Sequence, residues 1–480
     1  MEALQRLHNR GSISTGYDIP YSFVQEYNST RFVSKTWGGF GGTNPTNTKA
    51  TVSYWHKRAS SEAGVGGGCW KLLDTQNSEV SIMAPGGTYD SSIYCAGQNE
   101  SLFKLVTTAK FRDTGAWYHV VASFDSTQST ASDRIKLYVN GVRITDFSTA
   151  NYPAQNSDFR HISENSQHHV GHNANAGKPY GYFSDMYFIW DQAKDATDFG
   201  EFDEDTGIWK PIEYTGTFGT YGYYWDFSNT SNYAEDQSGN GNDGTSVNTT
   251  AAMQSTDTPT NNFCTLNSNS ALGIVKYYEG ATIGALIGTG DEPGEGSIMF
   301  NKGKWYYEAR AVGTTDADAM FGLGVPNQWG LGSTNPGNDL YSFAYHSIGR
   351  VYYNFNTSTS GWDSFGTSDT VMIAIDHDNG FAYFGVNGTW GNSGVPTSGA
   401  TGTGGFDYFG NTSISAGDGV TFAFRIHYRT YNQSYYNFGG HTAISIASAE
   451  SDANGYGTFE YAPPTGYYAL CTKNLAQYGG

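Results

Sequence analysis

Residues 117–141, WYHVVASFDSTQSTASDRIKLYVNG, decide the fold class of this chain. Large apolar or aromatic residues alternate with polar residues in 117–125 and again in 134–139, a pattern that is typical of half-buried antiparallel strands. Asn140 and Gly141 follow, and both tolerate the positive φ of a two-residue type I′ turn. The stretch therefore predicts strands that end in an antiparallel β-hairpin.

The same alternation recurs along most of the chain. Clear examples are TVSYWHKR (51–58), GYFSDMYFIW (181–190), KWYYEARAV (304–312) and VTFAFRIHY (420–428). Aromatic residues make up 16% of the 480 residues and glycine occurs 62 times, which favours short strands joined by tight turns. A chain of this length also exceeds what one hydrophobic core usually serves. We therefore predict an all-β protein of two tandem antiparallel β-sandwiches joined by a polar linker.

Shifts in composition divide the chain into five predicted segments. These are a polar N-terminal arm (1–45), a first sandwich (46–228), a polar linker (229–268), a second sandwich (269–440) and a C-terminal strand or tail (441–480). The linker prediction rests on runs of Asn, Ser, Thr, Gly and Asp, which favour irregular structure. Aromatic residues in the arm, such as Tyr17 and Phe23, favour an attachment segment that becomes ordered on a partner.

The charge balance limits the class of partner. The formal net charge is −19 and the isoelectric point is near 4.8. Phosphates would be repelled by such a surface, so we expect no nucleic-acid partner. No stretch approaches the ~20 apolar residues that a bilayer span needs, and the N-terminus has no apolar core of signal-peptide length. We therefore expect no insertion into a membrane.

The four cysteines carry no recognisable motif. Cys69, Cys95, Cys264 and Cys471 lie far apart without a CxxC or CxxH pair, which excludes a zinc ribbon and a redox motif. A disulfide between Cys69 and Cys95 and a set of buried thiols are both compatible with this spacing.

The first half of the chain resembles a known sandwich family. Trp117–Val120, the sequence LYVNG about twenty residues later and the strand that begins GYFSD at 181 resemble the laminin-G or concanavalin-A-like jelly roll. The resemblance covers roughly residues 46–228. Domains of this kind often hold one calcium ion through strand-end carboxylates, which implies Asp125 and Asp185 as candidate ligands. Calcium is the one cofactor that the resemblance suggests, and Asp133 and Asp191 are further carboxylates of the same kind.

The second half resembles a SPRY domain. That family has a K-W-Y-x-E strand, a G-x-G-V strand and a hairpin with two spaced aspartates, a glycine and a phenylalanine. The matching residues are Lys304, Trp305, Glu308, Gly322, Gly324, Val325, Asp369, Asp376, Gly380 and Phe384. Coverage extends to about residue 439. The insert at 387–405 is longer and richer in glycine than the usual family hairpin, so the peptide-binding site of the family is not transferred.

A short connector suggests the biological context. Residues 257–263, DTPTNNF, resemble a recurring connector of bacteriophage fibre-like proteins, and residues 199–228 resemble the tail that follows such domains in phage structural proteins. The resemblance implies a virion-surface protein of a tail fibre, spike or capsid appendage. It implies a homo-oligomer, with a trimer favoured, that binds other virion proteins through the N-terminal arm and a host-surface glycan or protein during attachment.

Candidate catalytic and metal-binding residues are few. Alternation on a strand would place Glu201, Asp203 and Asp205 on one face, as the paired carboxylates of a glycosidase require. The segment follows the last predicted core strand, which favours an acidic loop instead. His168, His169 and His172 offer two or three metal ligands, although loop histidines without a metal are commoner. The sequence contains no GxSxG, P-loop or HExxH motif, so we predict a non-enzymatic protein.

The predicted ligand site lies in loops of the second sandwich. These loops, at 327–342, 361–366 and 387–394, are rich in the residue types that stack on sugars or form protein-binding surfaces. The candidate ligand-binding residues are Trp390, Asn387, Asn392, Trp329 and Trp362. The alternative is that the tryptophans cover the ends of the sandwich. Two other functions stay open: a secreted bacterial carbohydrate-binding protein or glycoside hydrolase, and a purely structural virion subunit.

Overall fold

Two compact units make up the chain, one from residues 14–260 and one from residue 261 onward. The computed structural model describes residues 16–25, 30–59, 70–73, 78–82, 91–98, 100–170, 181–267, 275–286, 291–312, 319–325, 336–415, 423–429 and 433–479. Antiparallel sheets account for nearly all of the secondary structure in these ranges. The predicted all-β fold class is confirmed.

The first unit consists of two large sheets and a small hairpin. Its strands are β1 (Ser22–Gln25), β2 (Phe32–Thr36), β3 (Lys49–Arg58), β4 (Trp70–Leu73), β5 (Ser78–Ile82), β6 (Ile93–Gly97), β7 (Phe103–Thr107), β8 (Trp117–Asp125), β9 (Ile135–Val139), β10 (Val142–Ile144), β11 (Phe147–Asn151), β12 (Gln167–Val170), β13 (Gly181–Trp190), β14 (Gly200–Phe202), β15 (Trp209–Pro211), β16 (Tyr223–Trp225), β17 (Thr245–Val247) and β18 (Gln254–Ser255). One sheet has the order β10-β9-β8-β3-β13-β1-β18, with β16 also paired to β13, and the other has the order β11-β7-β6-β5-β4-β12-β2-β17. Strands β14 and β15 form the separate hairpin.

The hairpin predicted at 134–144 is confirmed. Strand β9 pairs with β10 through Val139 and Val142, and the two residues between them, Asn140 and Gly141, have φ of 46° and 78°. The side-chain oxygen of Asn140 also accepts a hydrogen bond from the backbone N–H of His119 at 2.8 Å. The turn is therefore anchored to the neighbouring strand as well as closed by its own backbone.

The central strands of the first unit are buried on both faces, whereas the alternating pattern predicted burial on one. Val52 and Val120 belong to the core between the two large sheets. On the opposite face, Val121 belongs to a second apolar cluster that also contains Phe199 and Tyr214 from the segment after β13. A distant segment therefore covers the face that the polar residues of the pattern were expected to expose.

Two predicted boundaries are wrong. Strands β1 and β2 lie inside the predicted arm (1–45) and pair with β13 and β12, so residues 16–45, apart from 26–29, are part of the first sandwich. Strands β17 and β18 lie inside the predicted linker (229–268) and pair with β2 and β1. The polar side chains of these stretches bond to one another and to the sandwich, as when the carboxylate of Asp236 accepts a hydrogen bond from the N–H of Tyr224 at 3.0 Å. A polar composition is therefore compatible with an ordered segment.

The second unit is also a two-sheet sandwich. Its strands are β19 (Val275–Tyr278), β20 (Ile283–Leu286), β21 (Asp291–Glu295), β22 (Lys304–Val312), β23 (Met320–Gly324), β24 (Ser342–His346), β25 (Arg350–Tyr353), β26 (Thr357–Ser360), β27 (Val371–Asp376), β28 (Phe381–Val386), β29 (Thr389–Trp390), β30 (Phe406–Asp407), β31 (Ala423–Arg429), β32 (Gln433–Asn437) and β33 (Tyr468–Ala469), with short helices α1 (Tyr408–Asn411) and α2 (Thr472–Tyr478). One sheet has the order β19-β20-β32-β22-β27-β28-β29 and the other has the order β21-β31-β23-β24-β25-β26. Strand β30 pairs with β28, and β33 pairs in parallel with β22.

The C-terminal segment (441–480) completes the second unit. Between the two sheets, Tyr345 stacks on Phe384 with ring centroids 4.8 Å apart. On the outer face of the first sheet, Tyr306 meets Phe459 of the C-terminal segment at 5.0 Å. Both units therefore share one design, in which a segment outside the two sheets buries the outer face of one of them.

Candidate functional site

The loop predicted to carry the ligand is held by its own side chains. Asn387 has φ of 50°, its oxygen accepts a hydrogen bond from the N–H of Thr370 at 2.9 Å, and its amide group donates to Asp369 at 2.6 Å. Asn392 has φ of 52° and donates to the carbonyl of Gly404 at 3.1 Å. Both asparagines are exposed, and each closes a turn of the loop.

The same loop packs on the sandwich instead of standing free of it. Its 3₁₀-helical segment, Pro396–Thr401, is kinked at Gly399 and begins at a buried proline. The carbonyl of this proline accepts a hydrogen bond from the hydroxyl of Tyr467 at 2.9 Å. Trp390 is half-buried and lies against the apolar cluster that contains Tyr383 and Phe459. Trp390 therefore contributes to packing as well as to the surface.

Of the other two predicted tryptophans, only Trp362 lies within the described residues. Trp362 is buried, with its ring 6.0 Å from that of Phe384 and 6.5 Å from that of Phe406. A Cβ added to Gly391 would lie 3.2 Å from the indole of Trp362, so the loop covers this side chain. Trp329 lies outside the described residues. The structure therefore assigns Trp362 to the end of the core, and no described contact joins it to Trp390.

Asp125 and Asp185 do not fit a calcium ion. Both oxygens of Asp125 accept hydrogen bonds from its own turn, two from Thr127 and one from Gln128. Burial opposes ionisation of Asp125, but these hydrogen bonds outweigh it and lower the pKa of the carboxyl. In the described part of the chain, no three His, Cys, Asp or Glu side chains lie close enough together to hold a metal. Asp125 therefore serves its own turn.

Asp185 lies at the centre of a tyrosine cluster. It occupies a β-bulge of β13 with φ of 46°, and its carboxylate accepts hydrogen bonds from the hydroxyls of Tyr224 at 2.7 Å and Tyr17 at 2.9 Å. The hydroxyl of Tyr187 is a weaker third donor at 3.4 Å. Burial raises the pKa of Asp185 to about 6, although the hydrogen bonds from Tyr224 and Tyr17 lower it. Sequence reasoning missed this cluster because its donors come from three separate segments.

The acidic stretch after β13 is a structural turn. Strand β14 ends at Phe202, so Asp203 and Asp205 are not on the strand with Glu201. Asp203 accepts hydrogen bonds from the backbone and hydroxyl of Thr206, which lower its pKa, and Lys210 bridges Asp203 and Glu201 at 3.2 Å each. The stretch is therefore the closed loop of the β14–β15 hairpin.

The histidine pair of β12 is buried. His168 and His169 are consecutive on the strand, so their side chains leave opposite faces of the sheet. A ring nitrogen of His168 lies 2.8 Å from the carbonyl of His161, and burial lowers the pKa of His168 to about 3. His172 lies outside the described residues. The two described histidines do not converge on a common ligand.

Two of the three motif carboxylates of the second unit, Glu308 and Asp376, are buried and accept hydrogen bonds from the unit's own donors. Glu308 is fully buried and accepts four hydrogen bonds, from the Tyr306 hydroxyl, the Asn437 amide and the N–H groups of Glu460 and Tyr461. Burial raises the pKa of Glu308. Through the last two bonds this residue of β22 holds the C-terminal segment. Asp376 similarly accepts hydrogen bonds from Lys304 at 2.7 Å and from the side chain and backbone of Asn379.

The connector 257–263 is bonded at each end within a different unit. In the first unit, Asp257 pairs with Lys57 at 2.7 Å and accepts a hydrogen bond from the indole of Trp117 at 3.1 Å. In the second unit, the N–H of Asn262 donates to the hydroxyl of Thr472 at 2.9 Å, and Phe263 forms a bridge with Cys471. The bonds of Asp257 depend on its carboxylate, whereas those of Asn262 and Phe263 are made by the backbone.

The cysteines that the structure describes, Cys95, Cys264 and Cys471, are buried. Burial raises the pKa of Cys471 to about 12. Cys95 is in the core between the sheets of the first unit, and Cys69 lies outside the described residues. The Cys69–Cys95 disulfide therefore stays a prediction.

Comparison with known families agrees with both halves of this architecture. Residues 38–196 match the model of the concanavalin A-like lectin/glucanases superfamily, and residues 304–426 match the model of the SPRY domain. A concanavalin-like domain and a SPRY domain are found. The first unit is accordingly a concanavalin-like unit and the second a SPRY-like unit. Domains of these two kinds are typically binding or interaction modules.

Solved structures and curated proteins add little detail. The SPRY domain of human HERC1 is 14% identical, with a TM-score of 0.27 over 36% of this chain and 96% of its own. A heptameric SAP-like pentraxin from Limulus polyphemus is also 14% identical, with a TM-score of 0.26 over 37% of this chain and 79% of its own. A search of curated proteins found no match. No helix within the described ranges is long and apolar enough to cross a membrane.

Proposed function

We propose that this chain is a non-enzymatic binding protein of a bacteriophage virion surface, in a tail fibre, spike or capsid appendage, and that it binds a host-surface glycan or protein during adsorption. The observation that favours binding over catalysis is that the buried carboxylates are engaged in hydrogen bonds within the protein. Asp185, Glu308 and Asp376 each accept at least three hydrogen bonds from the chain's own donors. A general acid or base must reach a substrate proton, whereas these carboxylates are held by the interior.

The virion context of the proposal is supported by the connector. The DTPTNNF sequence at 257–263 resembles the connector of phage fibre-like proteins, and the chain carries a concanavalin-like domain before it and a SPRY domain after it. In this proposal the protein lies on the virion surface as a homo-oligomer, with a trimer favoured. Because β1 and β2 belong to the first sandwich, the segment proposed to bind other virion proteins is reduced from 1–45 to residues 1–15.

Binding assays with the full chain test the functional part of the proposal. The purified protein should bind intact host bacteria or their isolated surface polysaccharides, and should release no reducing ends from any glycan that it binds. Release of sugar at a rate proportional to protein concentration would favour the glycoside hydrolase alternative. If the protein binds glycan but is found only in the culture medium of bacteria, the secreted alternative would be favoured.

Particle assembly tests the structural part. An antibody against this chain should label the surface of phage particles in electron micrographs. Deletion of residues 1–15 should prevent incorporation while leaving the melting temperature of the purified protein unchanged. Normal incorporation of the truncated chain would place the attachment elsewhere.

A further inference from the structure

The tip of one hairpin in the SPRY-like unit has an unusual backbone. Strands β25 and β26 close at the pair Tyr353 and Thr357. The three residues between them, Asn354, Phe355 and Asn356, have φ of 42°, 56° and 67°. Phe355 is also the most exposed large apolar side chain among the described residues, with 64% of its surface accessible.

Folding does not account for phenylalanine at this position. The left-handed region is unfavourable for a residue with a Cβ, and glycine avoids this cost. An exposed ring recovers little of that energy by burial, because the hydrophobic gain scales with the area removed from water. A strained residue that the core does not need indicates a role at the surface. The ring of Phe355 is therefore a candidate contact for a ligand.

A second exposed aromatic residue lies at the same end of the sheet. Phe343 of β24 pairs with Tyr353 of β25. Tyr341 and Phe355 each lie two residues beyond this pair, toward the same end of the sheet. Tyr341 is 40% exposed. Both residues therefore lie just beyond the paired part of β24 and β25 at the same end of the sheet, Tyr341 in a loop and Phe355 in a turn.

Hydrogen bonds hold the loop that carries Tyr341 in place. The carboxylate of Asp339, itself buried, accepts hydrogen bonds from the N–H of Tyr341 at 2.6 Å and from the hydroxyl of Ser342 at 2.9 Å. The same loop reaches the hairpin tip, because the N–H of Asn356 donates to the carbonyl of Gly337 at 3.1 Å. Bracing of this kind reduces the entropy lost when a ligand binds.

The exposed chemistry of this sheet end suits a neutral sugar. Asn354 and Asn356 are exposed beside the two rings, and the acidic residue nearby, Asp339, is turned inward and hydrogen-bonded. Aromatic rings stack on the C–H faces of sugars, and amide groups donate to and accept from sugar hydroxyls. We propose that Phe355 and Tyr341, with the amides of Asn354 and Asn356, form a binding site for a neutral oligosaccharide.

The size of the site favours a glycan over a protein partner. A stable protein interface needs about 800 Å² from each partner. Two rings and two amides at one sheet end offer a much smaller area, which a short oligosaccharide matches. This inference rests on the proposed binding function, and names the site and the ligand class.

Glycan binding by three variants of the full chain tests the inference. Wild-type protein is applied to an array of neutral and charged bacterial oligosaccharides, and the affinity for the best neutral ligand is measured by calorimetry. Phe355→Gly and Tyr341→Ala should each weaken binding on the order of tenfold or more. Phe355→Gly should leave the melting temperature unchanged or raise it, because glycine relieves the left-handed backbone. Ile348→Ser is the matched control, since Ile348 is 56% exposed in the turn at the other end of β25.

Each alternative outcome has its own meaning. If Phe355→Gly weakens binding of the neutral glycan no more than Ile348→Ser does, this site is overturned and the proposed function is left intact. Binding only to charged glycans or to a host protein would overturn the ligand class. A wild-type chain that binds no host-surface component would overturn the proposed function together with the inference. A melting temperature lowered by several degrees in Phe355→Gly would show that the ring serves folding.

Discussion

The amine of Lys57 and the carboxylate of Asp257 lie 2.7 Å apart with both side chains completely buried. The two residues are 200 positions apart, so the pair joins β3 to the end of the concanavalin-like unit. Lys57 also lies over the ring of Tyr182, 5.4 Å from its centroid. The first residue of the connector is therefore part of the interior of that unit.

Removal of this buried carboxylate should destabilise the concanavalin-like unit. Breaking a buried ion pair by removing one partner typically costs about 3–5 kcal/mol. We expect Asp257→Ala to lower the free energy of unfolding by that amount in urea titrations. Arg143→Ala is the control, because the 2.7 Å pair of Arg143 with Asp133 is partly exposed and should contribute less than about 1 kcal/mol. Similar losses in the two variants would contradict the importance of the buried pair.

The tyrosine cluster should make stability depend on pH through Asp185. Burial raises the pKa of this carboxyl from 3.8 to about 6, so the folded state binds the proton more tightly than the unfolded state does. Stability from this group is therefore present below about pH 4 and is lost as pH rises through about 6. The rise of the Asp185 pKa to about 6 corresponds to about 3 kcal/mol.

Asp185→Asn should remove this dependence. Between about pH 4 and pH 7, the unfolding free energy of the variant should increase relative to that of the wild type. Urea denaturation across that range measures the difference. Asp125→Asn should show the opposite sign and in a lower range, below about pH 4, because hydrogen bonds lower the pKa of Asp125 and stabilise its charged form. A pH-independent difference for Asp185→Asn would show that the carboxylate is not perturbed as described.

The two described tryptophans of the predicted ligand site should behave as packing residues. Trp362→Ala removes a buried indole and should cost about 3–5 kcal/mol in unfolding free energy. Trp390→Ala should also lower the melting temperature, by less, because Trp390 is half-buried. Thermal melts and host-binding assays on the same preparations separate the roles. An unchanged melting temperature with lost binding in Trp390→Ala would support the predicted ligand contact instead.

The stretch at 229–260 should resist proteases in the native protein. Tyr233 is buried, and its hydroxyl donates to the carbonyls of Thr250 and Ala251 at 2.9 and 3.2 Å. Chymotrypsin should cut after Tyr233 only in urea concentrations that unfold the concanavalin-like unit, as followed by mass spectrometry. Early cleavage there without denaturant would restore the interpretation of this stretch as an open linker.

Local patterns were sufficient for the fold class and for the hairpin at 134–144. Alternation of apolar residues and the Asn140-Gly141 pair act through the period of a strand and the φ preferences of two residues, and neither depends on the rest of the chain. The motif residues Glu308 and Asp376 likewise indicated the second sandwich, because their positions along β22 and β27 are set within single strands.

Only the tertiary structure decided which polar residues are buried and what they bind. His119 and Ser53 occupy polar positions of alternating strands, yet they meet at 2.9 Å beneath Trp209, whose indole donates to His119 at 3.0 Å. Asp185 looked like a strand-end calcium ligand, but its hydrogen-bond donors include Tyr17, 168 residues away. The physical reason is that burial and hydrogen bonding depend on the segments that cover a strand, and those segments are chosen by contacts across the whole unit.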